Sequence, residues 1–228
     1  MFDSILVPIA REGRPFIAAF AVVTVVLGLI AEWLLVPGGI LTAWCVLFFR
    51  DPDRVTPTRD GLVVSPADGL VVSVATVPWP KELAMGEGMA TRIGIFMNVF
   101  DVHVNRIPVD GRIVKLAYVP GAFFNASFDK ASEHNERQLV AMETRDGRQL
   151  AFVQIAGLVA RRIVCKITEG QTVLAGERMG MIRFGSRVDV YLPAGVASLA
   201  AEGQRCVAGE TVLADLGSPE PARAGVVR

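Results

Sequence analysis

Few residues in this chain have side chains suited to chemistry. It carries only two histidines, His103 and His134, and three scattered cysteines, Cys45, Cys165 and Cys206. Imidazole titrates near neutrality, which makes His103, in Asp101-Val102-His103, the first candidate for a general acid or base. A histidine buried for packing alone is the plainer alternative. A serine hydroxyl offers a nucleophile, and two serines follow a glycine, Gly185-Ser186 and Gly217-Ser218. Such a dipeptide is commonly just a turn, but the surroundings differ. Gly185-Ser186 lies between the strand-like runs GMIRF and RVDVYLP, whereas Gly217-Ser218 lies in a tail rich in proline and alanine. Asp68, in Ser65-Pro66-Ala67-Asp68-Gly69, is a carboxylate that also suits a turn. His134, in SEHNER, is a loop histidine facing solvent or substrate. Asn125, Asn135 and Arg137 have side chains that could bind a phosphate or carboxylate.

The same inventory excludes several chemistries. Two histidines rule out a three-histidine metal site. Three dispersed cysteines argue against a disulfide framework or a cysteine zinc site, and favour a reducing compartment. Basic and acidic side chains balance at 23 each, which gives no basis for general nucleic-acid binding.

Positioning such residues requires a scaffold, and most of the chain reads as β. After a polar, proline-containing linker at Arg50–Gly61, short runs rich in valine and isoleucine alternate with Gly, Pro and Asp. Arg145-Asp146-Gly147-Arg148, between two such runs, predicts a hairpin with a type I′ turn. Helix signals here are few, and Phe128–Arg137 offers one short turn. EGQTVLAGE at Glu169–Glu177 recurs as EGQRCVAGE at Glu202–Glu210, identical at six of nine positions and displaced by 33 residues. The unit resembles the turns of biotinyl- and lipoyl-type barrel-sandwich modules. Two copies predict two stacked hairpins in one duplicated, barrel-sandwich-hybrid-like β-sandwich. Asp129-Lys130-Ala131 resembles a lipoyl-lysine site, but Lys130 is not midway between the copies, where a carrier lysine sits.

The chain has 228 residues with 52% hydrophobic side chains and a mean hydropathy of +0.44, high for an ordinary soluble domain. The excess sits near the N-terminus. Residues 16–49 hold a single charge, Glu32, and Pro37-Gly38-Gly39 predicts a turn or kink in the second half of that stretch. Each half is short beside the ~20 residues a spanning helix needs. Arginines flank the stretch on both sides, as suits a membrane hairpin with both ends cytoplasmic; spanning and embedding both remain open. A signal peptide would need a small-residue cleavage site, which is missing, and Trp44 ahead of Cys45 argues against a lipoprotein anchor. A buried pair of core helices is the soluble alternative. The expected division is a membrane-associated segment and linker over 1–60 and a β-rich catalytic domain over 61–228.

Four segments, in order, resemble the phosphatidylserine decarboxylase proenzymes of the short type. SPADG at Ser65–Gly69 is similar to the family's Pro-x-Asp-Gly segment, and FMNVFDVHVNRIPVDG at Phe96–Gly111 to its Asp-x-His block. PGAFFNASFDKASEHNER at Pro120–Arg137 contains its Asn-Glu-Arg segment, and FGS at Phe184–Ser186 stands at its self-cleavage position. The resemblance covers most of the chain. It implies that the Ser186 hydroxyl attacks the Gly185 carbonyl to form an ester, where glycine leaves the carbonyl uncrowded. Elimination then gives dehydroalanine, which hydrolyses to a covalent pyruvoyl group. The products would be a β subunit ending at Gly185 and an α subunit beginning at former Ser186, which stay associated.

The resemblance further implies a Schiff base between the pyruvoyl ketone and the amine of phosphatidylserine, loss of CO₂ and release of phosphatidylethanolamine. It gives His103 the role of catalytic histidine and Asp68 that of a processing aspartate. Longer relatives carry a second histidine where this chain has Arg106, so their Asp-His-Ser triad does not transfer intact. Arg106 and His134 are then candidate substrate contacts. The partners implied are a phospholipid, the membrane and the two subunits of one proenzyme, without nucleic acid. The competing reading is a membrane-anchored barrel-sandwich binding or adaptor module without catalysis; the heptads expected of such adaptors are missing. A membrane-tethered metallopeptidase needs more histidines than the chain owns.

Overall fold

The computed structural model describes residues 7–121, 134–157, 162–183 and 185–226. Two helices come first, α1 (Arg14–Ile30) and α2 (Leu35–Phe48), joined by a 3₁₀ turn at Glu32–Leu34. Pro15 falls in the first turn of α1, where a missing N–H costs nothing. Pro37-Gly38-Gly39 does not break the second apolar run as its composition suggests. It lies at the start of α2, where the N–H groups have no acceptor inside the helix, and the chain reverses earlier, after Ala31.

The helices pack as an antiparallel hairpin through small residues. A Cβ on Gly38 would lie 2.8 Å from the Thr24 side chain, and one on Gly28 2.2 Å from Leu35. Thr24 and Thr42 share a hydrogen bond of 3.1 Å across the seam. Such close approach with polar links is how helices associate in lipid. Taken with the 3₁₀ turn before it, Arg11–Ile30 is 20 residues long and apolar enough to cross a membrane by length and composition. Most of its outer surface is exposed: Val22, Val23, Val25, Val26, Leu29 and Ile30 project from α1. This is the opposite of a buried core helix.

Thirteen strands follow among the described residues: β1 (Leu62–Val64), β2 (Gly69–Pro78), β3 (Met89–Met97), β4 (Val104–Arg106), β5 (Gly111–Val119), β6 (Arg137–Thr144), β7 (Gln149–Ala156), β8 (Ile163–Cys165), β9 (Thr172–Val173), β10 (Arg178–Ile182), β11 (Ser186–Leu192), β12 (Arg205–Cys206) and β13 (Val212–Asp215). Eight form one curled sheet in the order β12-β2-β3-β11-β7-β6-β5-β9, with β4-β10-β8 and β1-β13 as smaller sheets. The main core lies on one face of the large sheet, with Ile93, Ile95 and Met97 of β3 alternating in step with Val188, Val190 and Leu192 of β11. The protein is therefore mainly β, as its sequence pattern predicts.

Two local expectations change. The β6–β7 hairpin forms, but Asp146 keeps a negative φ and only Gly147 is left-handed at +82°. A type I′ turn needs positive φ at both central residues. Here Thr144 N–H donates to the Arg148 carbonyl at 2.9 Å, giving a three-residue loop that closes on Gly147. The short helical turn expected at Phe128–Arg137 lies mostly outside the described residues, and its last residue, Arg137, opens β6.

The nine-residue repeat is the visible part of a larger duplication. Gly170 N–H donates to Ile113 O and Gly203 N–H to Val71 O, each at 2.8 Å. Glu169 Oε1 accepts from Leu116 N–H at 2.7 Å, and Glu202 Oε1 from Val74 N–H at 2.8 Å. Asp110 Oδ1 accepts from Ala175 N–H and Asp68 Oδ1 from Ala208 N–H, both at 2.8 Å. Further along, Ile182 N–H meets the His103 carbonyl at 3.4 Å, and Leu216 N–H meets that of Gly61 at 2.8 Å. Segments 103–116 with 169–182 thus repeat segments 61–74 with 202–216.

The linker between helices and sheet is extended and pinned. Arg54 reaches both Asp68 oxygens at 3.0 and 2.8 Å, Val55 N–H donates to Glu210 at 3.0 Å, and Arg59 pairs with Asp215 at 2.6 Å.

Candidate active site

Ser186 begins β11, the strand between β3 and β7, opposite Met97 on one side and Ala156 on the other. Its side chain is fully buried. Gly185 has φ +71°, and no atom lies within 4 Å of where a Cβ would be. Conformation, and not space, demands glycine there: the chain leaves β10 and turns through the left-handed region before entering β11.

His103 is brought to this junction from the far side of the sequence. Its Nε2 lies 3.4 Å from the Gly185 backbone nitrogen, and its Nδ1 lies 3.0 Å from the Asp101 carbonyl oxygen. A carbonyl can only accept, so Nδ1 carries the proton and Nε2 presents its lone pair to the Gly185 N–H. Phe48, at the end of α2, covers the ring at a centroid distance of 4.2 Å. Burial pushes the His103 pKa from 6.5 down to about 4, only partly offset by the Asp101 carbonyl and carboxylate. The imidazole is thus neutral at physiological pH.

A polar cluster continues beneath Ser186. Met97 Sδ is 3.9 Å from Ser186 Oγ and 3.5 Å from Asn105 Nδ2. Gln154 Nε2 donates to Asn105 Oδ1 at 2.8 Å, and the buried Gln154 Oε1 has no partner among the described residues. An unsatisfied buried acceptor is costly and calls for a donor. Asn135, also buried, donates to the carbonyl of Ala156, the cross-strand neighbour of Ser186, at 2.7 Å. On the opposite face of β11, Arg187 is buried and pairs with Asp189 at 2.5 Å and with Ser73 at 3.0 Å. Gly94 leaves room for that guanidinium, which would lie 2.5 Å from an added Cβ.

The other expected residues lie in different surroundings. Arg106 turns away from the junction: it donates to Gly176 O at 2.7 Å and Pro52 O at 2.8 Å, and sits 3.5 Å from Asp51. Asp68 is taken up by Arg54 and by the Ala208 N–H, in the turn that Asp110 repeats. His134 is exposed. Arg137 is paired with Glu82 at 2.5 Å. Asn125 and Lys130 fall outside the described residues.

Asn105, Gln154, Met97 and Phe48 have no place in the sequence reading. The available signal was Gln154 itself, an amide in the otherwise apolar AFVQIA of β7. Among the described residues no group of His, Cys, Asp and Glu is arranged to hold a metal ion.

A mainly β fold with an apolar helical hairpin, carrying a neutral histidine against a Gly-Ser strand junction, defines the architecture. The family model for phosphatidylserine decarboxylase matches residues 41–214. A phosphatidylserine decarboxylase proenzyme of Paramagnetospirillum magneticum is 62% identical over 221 residues, covering 97% of this chain and 92% of the relative. Those of Cereibacter sphaeroides and Rhodospirillum rubrum are 56% and 58% identical, covering 100% and 98% of this chain and 98% and 95% of theirs. The chain belongs to the phosphatidylserine decarboxylase family.

Proposed function

We propose that this protein is a membrane-associated, self-processing decarboxylase that converts phosphatidylserine to phosphatidylethanolamine and CO₂, with Ser186 as the source of a covalent pyruvoyl group. Family membership supports the reaction, and the approach of His103 Nε2 to Gly185 supports the site. The division into 1–60 and 61–228, with cleavage between Gly185 and Ser186, belongs to the same reading.

In processing, the Ser186 oxygen bonds to the Gly185 carbonyl carbon, the bond from that carbon to Ser186 N breaks, and the hydroxyl proton ends on that nitrogen. In this reading neutral His103, whose Nε2 lies 3.4 Å from the Gly185 nitrogen, takes and returns the proton. The buried Gln154 Oε1 offers an acceptor that helps to orient a hydroxyl or an amine. Cleavage need not separate the subunits, because β11 keeps its ladders to β3 and β7 and buried Arg187 keeps its bond to Ser73.

The pyruvoyl group supplies an electrophilic carbonyl for the substrate amine and an electron sink for the charge left when CO₂ departs. The site fits such a group: it is buried and, among the described residues, has an acceptor to spare. Nε2 of neutral His103, free of a proton, can take one from the substrate ammonium and return it to the carbon that lost CO₂. Asp68 acts through the fold by holding the repeat turn and the linker. Arg106 and His134 remain outside the reacting group of residues in this reading. The apolar hairpin keeps the site beside a substrate that lives in a bilayer, with the catalytic domain on the cytoplasmic side.

The experiment is turnover of phosphatidylserine vesicles by the purified protein, read as phosphatidylethanolamine formed. Wild type is expected to be active and Ser186→Ala inactive. Equal activity of an uncleaved Ser186→Ala variant would overturn the assignment.

A further inference from the structure

Beyond the hairpin, one turn of the β domain is built for contact with lipid. Among the described residues Phe100 is the one exposed phenylalanine, at 69%, and Val99 beside it is 36% exposed. The turn that carries them is rigid. Asn98 N–H donates to Asp101 Oδ2 at 2.9 Å, Phe100 N–H to Asn98 Oδ1 at 2.8 Å, and Asp101 N–H to Asn98 O at 3.0 Å. Two apolar side chains are thereby held out at a fixed tip, where water gains nothing from them.

The tip is tied to the base of the membrane hairpin. Arg50, just after α2, donates to Leu47 O at 2.7 Å and to Phe100 O at 2.6 Å. Leu47 is itself 57% exposed. Both bonds of Arg50 go to neutral carbonyls, and among the described residues it makes no ion pair, so its positive charge is uncompensated. The charge at a helix C-terminus accounts for the bond to Leu47, but not for the reach to Phe100. Exposed Arg205 lies on the other side, bonded to Asp101. Apolar side chains bracketed by arginines match an anionic bilayer surface: rings enter the acyl boundary while guanidiniums meet headgroups.

We propose that Val99–Phe100 is a second membrane contact, seated in an anionic bilayer with Arg50 on a lipid headgroup. Its consequence for the active site rests on the function proposed above. The same turn supplies the Asp101 carbonyl that fixes the His103 tautomer. Seating the tip therefore sets His103 and Ser186 at the depth of the headgroups, where the scissile carboxylate of the substrate lies.

The test uses the full chain in vesicles of phosphatidylcholine and phosphatidylglycerol whose acyl chains carry bromine quenchers. Phe100→Trp should show emission that the quencher removes, measured as the difference from wild type, while Val114→Trp on exposed β5 should not. Quenching no greater than at Val114→Trp would overturn the contact. In a second arm, Phe100→Ser should lower kcat/KM on bilayer phosphatidylserine by on the order of tenfold, and leave a water-soluble short-chain phosphatidylserine turned over as by wild type. Equal loss on both substrates would overturn the coupling. Wild type that turns over neither, with Phe100→Trp still quenched, would refute the proposed function and leave the membrane contact standing.

Discussion

The two halves of the duplication share a backbone and part company in chemistry. Where one half has His103, its carbonyl bound by Ile182, the other has Gly61, its carbonyl bound by Leu216. After Ile182 the chain passes Gly185 and enters β11 at the centre of the large sheet; after Leu216 it passes Gly217-Ser218 into the C-terminal tail. The two halves share one scaffold, and the proposed chemistry lies where one half feeds a central strand and carries an imidazole at the matching position. The comparison also bears on Asp68. Its bond to Ala208 is matched by that of Asp110 to Ala175, so the turn explains both. Each also has an arginine, Arg54 at 2.8 Å for Asp68 and the exposed Arg145 at 3.5 Å for Asp110, and Arg54 ties in the linker.

The harshest challenge to this asymmetry is at the two serines. Ser186→Ala should abolish cleavage and decarboxylation together, whereas Ser218→Ala should leave both as in wild type; gel analysis and product formation report them. Cleavage that persisted in the first variant would erase the distinction. Next in size is the histidine. His103→Ala should slow decarboxylation by roughly 10²–10⁴-fold, as for loss of a general acid. Normal turnover would make His103 no more than the packing counterpart of Gly61.

The buried, neutral state of His103 gives a third, smaller effect. Its folded pKa, about 4, lies below the unfolded 6.5. The unfolded chain therefore binds the proton first on acidification. The stability from this residue is full above pH 6.5 and is lost as pH falls towards 4, by ~3 kcal/mol in all. Denaturant melts across that window should show a shallower pH dependence in His103→Phe than in wild type. Identical slopes would mean that the imidazole is not desolvated.

Smallest are the paired aspartates. Asp68→Asn and Asp110→Asn should each cost about 1–2 kcal/mol and leave cleavage intact, with Asp68→Asn the worse of the two because its arginine, Arg54, is closer and more buried than the Arg145 of Asp110. Cleavage blocked in Asp68→Asn alone would restore a chemical role to that carboxylate.

Much of this was legible in the sequence, unevenly. Valine-rich runs, turn glycines and the EGQ repeat define the mainly β, duplicated fold because strand alternation and positive φ leave local marks. The apolar hairpin shows as 34 residues with one charge. Its turn was misplaced because proline at the start of a helix looks, in sequence, like proline that breaks one. Gly185-Ser186 and His103 were found through their motifs, although nothing local says that residues 82 apart meet. The Asn105–Gln154 pair and the Phe48 cover were missed for that reason: their significance comes from β4, β7 and α2 converging on one point. Asp68 was singled out through its motif; that Asp110 occupies an equivalent turn emerges only from shared hydrogen bonds.

The most direct measurement is the intact mass of the purified full-length protein, with and without borohydride reduction. The account predicts two chains that part between Gly185 and Ser186, the smaller lacking a free amino terminus and gaining two hydrogens on reduction, the mark of a ketone. A single chain of full mass that nonetheless released CO₂ from phosphatidylserine would contradict it.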